Sequence, residues 1–209
     1  LRIPSWTRKV QVKVNGKRMK VSPVAGEYFR IERTWKNGDR VELVLPMHLT
    51  MRTWQVNKNS VSVNYGPLTL SLKIGEEFIR RDSRETAIGD SKWQKGADAE
   101  NWPSYEIHPT TAWNYALVLG EKDPLEGFEV VKKSWPSDNF PFTPGNVPLE
   151  VKAQGRRIPS WKIDKYGLCA VLPETDAPKS PQIENITLIP MGAARLCFPC
   201  RIRIIEPAR

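Results

Sequence analysis

The feature that most constrains this chain is a rhythm: short runs alternating apolar and polar residues, each cut off by a turn signal. Val10, Val12 and Val14 alternate with Gln11 and Lys13 and run into Asn15-Gly16, a pair that accepts the positive φ of a tight hairpin. Phe29, Ile31 and Trp35 share one parity, with Arg33 between them, which predicts a second strand with Trp35 in the core. Asn37-Gly38-Asp39 is the next hairpin signal, Val41, Leu43 and Leu45 follow at period 2, and Pro46 ends that run. Val61-Ser62-Val63 and Leu68 to Leu72 form a further pair, broken at Tyr65-Gly66-Pro67. A period of two sends successive side chains to opposite faces, so the pattern predicts sheets with one buried side rather than helices. Strands this short and closely spaced read as a β-sandwich.

Residues 76–104 break the rhythm, being charged, Gly-containing and weakly periodic from Glu76 to Trp102-Pro103. A loop of that length is uncommon inside a compact domain, so a boundary is placed here. Strands resume at Trp113–Leu119, Phe128–Val131 and Leu149–Ala153, and the chain closes with Ile186–Pro190 and a run from Arg195 to Ile205. The expectation is an all-β protein of two antiparallel β-sandwiches (jelly-roll or immunoglobulin-like) with little helix. The first covers 1–78, a linker or long loop covers 79–104, and the second covers 105–209. The final strand is free to return to the first unit. One pentapeptide occurs twice, at Arg2-Ile3-Pro4-Ser5-Trp6 and Arg157-Ile158-Pro159-Ser160-Trp161, but the flanks differ. Similar edge strands explain it better than a duplicated fold, because Pro suits an edge and Trp can cap a core.

Composition narrows the function. An apolar share of 40% supports a packed core, and no run reaches the roughly 20 apolar residues of a membrane-spanning helix. The net charge of +9 lies in residues 1–60, which hold 13 Lys+Arg against 4 Asp+Glu. These charges fall mostly on the polar side of the strands, so they mark a solvated sheet face or a surface meeting an acidic partner domain. No nucleic-acid-binding motif accompanies them. The sequence begins at Leu1, directly in strand-like sequence, as a piece of a longer polypeptide would. Three cysteines are too few for a disulfide framework, and they leave the compartment open between periplasm and cytoplasm.

Candidate chemistry is sparse. In Cys197-Phe198-Pro199-Cys200 the two thiols fall in opposite strand environments, and there is no second ligand pair or βαβ context, so structural thiols are expected rather than a metal or redox site. His48 and His108 lie sixty residues apart without ligands at metal-binding spacing. Glu76 or Glu77 with Asp82 is a drawable carboxylate pair, but nothing in the sequence sets it across a scissile bond. The expectation is no catalytic residue, no metal and no cofactor. The eight tryptophans carry more information, since sugar rings stack on exposed aromatic faces. Trp93, Trp102 and Trp135 sit in polar or Pro-rich stretches and are the candidate carbohydrate-binding residues, with packing between domains as the competing role.

The ordered series Leu1-Arg2-Ile3-Pro4-Ser5-Trp6, Val12-Lys13-Val14-Asn15-Gly16, Gly26-Glu27-Tyr28, Trp35-Lys36-Asn37-Gly38-Asp39 and Leu43-Val44-Leu45-Pro46-Met47 resembles glycoside hydrolase family 127, the bacterial β-L-arabinofuranosidase-like proteins. Tyr65-Gly66-Pro67-Leu68 fits the next strand, where that family usually has Arg-Gly-Pro. Trp113-Asn114-Tyr115-Ala116-Leu117 and Thr187-Leu188-Ile189-Pro190-Met191-Gly192-Ala193-Ala194 are similar to later landmarks. The resemblance implies a parent whose (α/α)6 barrel does the catalysis with a zinc-bound cysteine and a nearby glutamate, followed by two β-sandwiches. Cys169, Cys197 and Cys200 fall outside that catalytic motif, so no catalytic residue carries over. The implied role is a non-catalytic accessory region that buttresses the barrel and shapes its substrate cleft, leaving an exposed apolar patch where the barrel belongs. The alternative is a carbohydrate-binding module. The implied partners are the barrel and a plant-derived oligosaccharide, with no nucleic acid and no membrane.

Overall fold

A computed structural model of the chain describes residues 1–20, 23–82, 100–165, 167–174 and 176–196, and the backbone of 202–205. The described chain is nearly all β, with helix limited to two single 3-10 turns, Gln55–Asn57 and Met191–Ala193. No helix in it is long and apolar enough to cross a membrane.

The first sheet is small. It contains β1 (Gln11–Val14), β2 (Lys17–Arg18) and β3 (Val41–Val44) in the order β2-β1-β3, all antiparallel. Val12 and Val14 point inward with Val10 and Ile3, as alternation requires. Asn15 and Gly16 adopt φ of 51° and 76°, so the predicted hairpin turn forms. The second predicted hairpin is corrected. β3 pairs with β1 in the register Val12↔Leu43, and residues 29–35 form no ladder, Tyr28 making an isolated bridge to Arg2. The cause is a lock between the two turns. Asp39 accepts the Lys36 N–H at 2.9 Å and the Asn15 side-chain N–H at 2.7 Å, while Asn15 Oδ1 accepts the Arg40 N–H at 2.8 Å. The Asn15 hydrogen bond and then the Lys36 backbone N–H hold the Asp39 carboxyl below its ordinary range against the opposing push of burial, with the Arg33 charge adding least. Trp35, expected in the core, is 48% exposed and lies under the Arg33 guanidinium.

The chain continues through β4 (Leu49–Trp54), β5 (Ser60–Tyr65) and β6 (Leu68–Leu72). β7 (Glu76–Arg81) and β8 (Ser104–Pro109) pair with each other as a separate antiparallel ribbon that reaches into the predicted linker. β9 (Tyr115–Val118), β10 (Glu129–Lys132), β11 (Leu149–Arg157), β12 (Glu184–Pro190) and β13 (Ile202–Ile205) complete the series. Hydrogen bonds cross the expected division between the two units: β6 pairs with β12, and β5 with β13. Because β9 pairs with both β13 and β11, the strands close a circuit, β11-β12-β6-β5-β13-β9, with β10 and β4 attached outside it. The β13–β9 pair is parallel, and the others are antiparallel.

The core of this sheet draws on both halves of the sequence: Val61 and Leu70 pack with Leu117, Val151, Ile186 and Leu188. Gly155 marks its tightest point. A Cβ there would come within 3.1 Å of the Tyr115 ring and 3.2 Å of Ile186, which lets β9 and β12 flank β11 closely. A second cluster caps one end, where Ile158 and Trp161 are buried with Ala116 and Trp113 lies edge-on to Trp161 at 5.1 Å.

Candidate functional site

Residues 133–148 connect β10 to β11 and hold Pro136, Pro141, Pro144 and Pro148. Each proline fixes one φ, so the connection loses little entropy on ordering. Side chains fix the rest. Asp138 accepts the Phe140 N–H at 3.0 Å and the Asn146 amide at 3.1 Å, and the Trp135 indole N–H donates to Asn139 Oδ1 at 2.7 Å. The outcome is a rigid loop with aromatic rings outside. Trp135 is 61% exposed, and Phe140 and Phe142 are exposed and packed edge to face with centroids 5.4 Å apart.

The base of the loop is clamped by charge. The Lys133 N–H donates to the Pro148 carbonyl at 2.8 Å. The buried Glu150 carboxylate receives the ammonium groups of Lys133, Lys73 and Lys152 at 2.7, 2.9 and 3.2 Å. Burial alone would raise the pKa of Glu150. Hydrogen bonds from Lys133, Lys73 and Lys152 outweigh it and hold the carboxyl at about 2. Beside this clamp lies an open cleft of about 450 Å³, walled by the 73–76 segment, Phe78 and Thr111 on one side and by Pro144 and Gly145 on the other.

Of the three sequence candidates, Trp135 stands on this loop. Trp102 precedes β8 and is 72% exposed, so the two occupy different elements. Trp93 lies outside the described residues, as do Cys197 and Cys200. Trp161 is buried, and Trp6, Trp54 and Trp113 are half-buried. Phe140 and Phe142 escaped the sequence reading; the signal was Asn139-Phe140-Pro141-Phe142, two aromatic rings inside a proline-rich stretch that no strand claims.

The remaining chemical candidates do not converge. Glu76 and Asp82 are six residues apart along an extended line, roughly 20 Å, well outside the separation of glycosidase carboxyl pairs. Glu106 is held below its ordinary pKa by Arg81 and then His108, in an exposed ion pair on the β7–β8 ribbon. Among the described residues no three of His, Cys, Asp and Glu stand together as metal ligands. Cys169 is half-buried, and burial raises its thiol pKa. These residues do not fit a zinc-bound cysteine nucleophile, which needs a thiolate with further ligands around it.

Comparison with known proteins bears on the small first sheet. Residues 1–47 match the β-L-arabinofuranosidase GH127 middle domain. This is the family that the ordered motifs resemble, and the match ends beside the start of β4. No curated protein matches the chain. Among solved structures, a protein described as a glycoside hydrolase is 20% identical, with 92% of this chain covering 24% of it at a TM-score of 0.49. A GH127 β-L-arabinofuranosidase from Geobacillus stearothermophilus T6 is 18% identical, with 92% of this chain covering 23% of it at a TM-score of 0.47. A further GH127 β-arabinofuranosidase is 18% identical, with 88% of this chain covering 20% of it at a TM-score of 0.44. The chain thus spans less than a quarter of the length of each of these solved structures.

Proposed function

We propose that this chain is a non-catalytic accessory β-region of a bacterial family 127-like glycoside hydrolase, and that its first sheet docks against the parent's catalytic barrel. The observation that carries this reading is the coincidence of two features on one segment. Residues 1–47 match the family's middle domain, and the same residues expose Leu1, Val24, Tyr28 and Trp35, with Tyr28 at 81%. Large apolar side chains exposed in the segments that flank the small sheet favour an interface over bare solvent. The surplus of basic residues there suits an acidic partner surface.

The test supplies a family 127 catalytic barrel in trans and measures association by light scattering and calorimetry. A complex weakened at least tenfold by the double substitution Tyr28→Ser and Trp35→Ser supports docking through the segment between β2 and β3. No association, or association untouched by the double substitution, removes it.

The exposure of Trp102 and Trp135 favours a second reading, a carbohydrate-binding module that engages plant-derived oligosaccharide. Calorimetric titration with arabinose-containing oligosaccharides decides it, with Trp102→Ala and Trp135→Ala as the variants. Saturable heat lost in either variant supports the reading, and heat no different from dilution ends it.

A further inference from the structure

We propose that the cleft between β7 and the 133–148 loop binds a neutral oligosaccharide on this chain itself, at a place separate from the exposed tryptophans. Its volume of about 450 Å³ falls in the usual range for small-molecule sites, and its walls carry the chemistry a sugar needs. Phe78 contributes an apolar ring at the rim. It is held by Tyr105, edge-on at 6.2 Å, and by the Arg195 guanidinium at 5.2 Å. Thr111 Oγ1 accepts the Gly75 N–H at 2.8 Å, so the hydroxyl's own proton is left to donate. Glu76 accepts the Arg195 backbone N–H through one oxygen at 3.2 Å, and a carboxylate has acceptor capacity beyond one such bond. Lys73 donates to Glu150 and retains further N–H donors.

Donor, acceptor and apolar ring within one cleft match vicinal sugar hydroxyls, each of which both donates and accepts, beside the apolar face of the ring. The charges favour a neutral ligand. Lys73 is already paired with Glu150, an anionic sugar would meet Glu76, and a cationic one would meet Lys73. The wall is fixed by close packing as well. A Cβ on Gly75 would lie 2.3 Å from Thr110 Oγ1 and 3.0 Å from the Thr111 methyl, so glycine lets the 73–76 wall pack directly against Thr110 and Thr111.

The experiment is calorimetric titration of the whole chain with neutral pentose and hexose trisaccharides, with trigalacturonate and a chitosan trimer as charged comparators. We expect saturable binding of at least one neutral trisaccharide. Loss of a single hydrogen bond in Thr111→Val should weaken it about tenfold, and Phe78→Ala should weaken it at least as much. Trp102→Ala and Trp135→Ala should leave it unchanged. Glu76→Gln keeps a carbonyl for the Arg195 N–H, so it reports on the ligand even if another variant melts early, and it too should weaken binding. The proposal is overturned by three results: no saturable heat with any neutral sugar, tighter binding of a charged comparator, or binding that survives Thr111→Val, Phe78→Ala and Glu76→Gln. Docking to the barrel is read by a different assay on a different sheet, so either idea can fail alone.

Discussion

The same five residues fold into two settings. At Arg2-Ile3-Pro4-Ser5-Trp6 the isoleucine is fully buried, the Thr7 N–H closes a turn on the Pro4 carbonyl, and Trp6 is only half-buried. At Arg157-Ile158-Pro159-Ser160-Trp161 the isoleucine is again fully buried, but Trp161 is 4% exposed. Its indole N–H donates to the Ala170 carbonyl at 3.0 Å, and Trp113 packs against its ring. Local sequence sets the buried isoleucine in both copies. What seals Trp161 is the chain packed over its cluster, Trp113, Leu172 and Ala177.

The strongest way to test that contrast is to cut the same side chain in both copies. Ile158→Ala opens a cavity in the buried cluster with Ala116 and Trp161, and we expect a loss of about 4 kcal/mol in urea unfolding. Ile3→Ala sits in a thin layer that can relax, and about 2 kcal/mol is expected. In Ile3→Ala, hydrogen exchange should quicken in β1 and β3 while β11 and β12 stay protected. Equal losses with a single global transition would mean that the two sheets unfold as one unit and that the contrast is only geometric.

The Glu150 clamp ranks next. Glu150→Gln leaves three ammonium groups sharing one neutral amide, and because the lysines can turn to water we expect about 2 kcal/mol. The pH dependence follows from the depressed pKa. The stability that Glu150 contributes is complete above the ordinary glutamate range and is lost as pH falls from about 4.5 toward 2. Between those limits the wild-type chain should lose stability more steeply than Glu150→Gln. Parallel pH profiles for the two proteins would remove the clamp as a source of acid sensitivity.

Much of the large sheet is legible in the sequence alone, and the reason is particular. Val61, Val63, Leu70, Leu72, Ile186 and Leu188 alternate cleanly because one face of each strand meets a core. β4 was missed because Leu-Thr-Met-Arg-Thr-Trp alternates only weakly. It is attached outside the circuit, where Arg52 lies 3.8 Å over the Trp54 ring instead of packing inward. Phe29–Trp35 misled in the opposite direction. Its parity is strand-like, yet the contacts of Asn15 with Asp39 and Arg40 decide which strand β1 receives, and those span 24 and 25 residues. The aromatic loop was only half visible, since exposure is a property of what packs nearby and a tryptophan in sequence carries no sign of it.

That turn-to-turn lock supports a smaller prediction. Asn15 sits at φ 51° and bonds both Asp39 and the Arg40 N–H. Asn15→Ala removes both bonds and places a Cβ-bearing residue with no side-chain hydrogen bond in a left-handed conformation, for an expected loss of about 1 kcal/mol. If the first sheet folds as its own unit, that loss should speed exchange in β1–β3 and leave the clamp and the closed sheet untouched. Uniform acceleration across the chain would instead tie the small sheet to the large one.

The smallest expected effect lies on the outer loop. Phe142 is exposed, and among the described residues its close aromatic partner is Phe140. Phe142→Ala should therefore change stability by less than about 0.5 kcal/mol, the ordinary size for a surface substitution. A residue that contributes so little to folding while displaying a ring to solvent has no structural reason to be aromatic, which is the opposite of Ile158. If thermal melting shows a loss near that of a core residue, Phe142 belongs to the fold, and the loop ceases to be a candidate binding surface. If stability is unchanged, the ring is free to meet a partner, whether sugar or barrel.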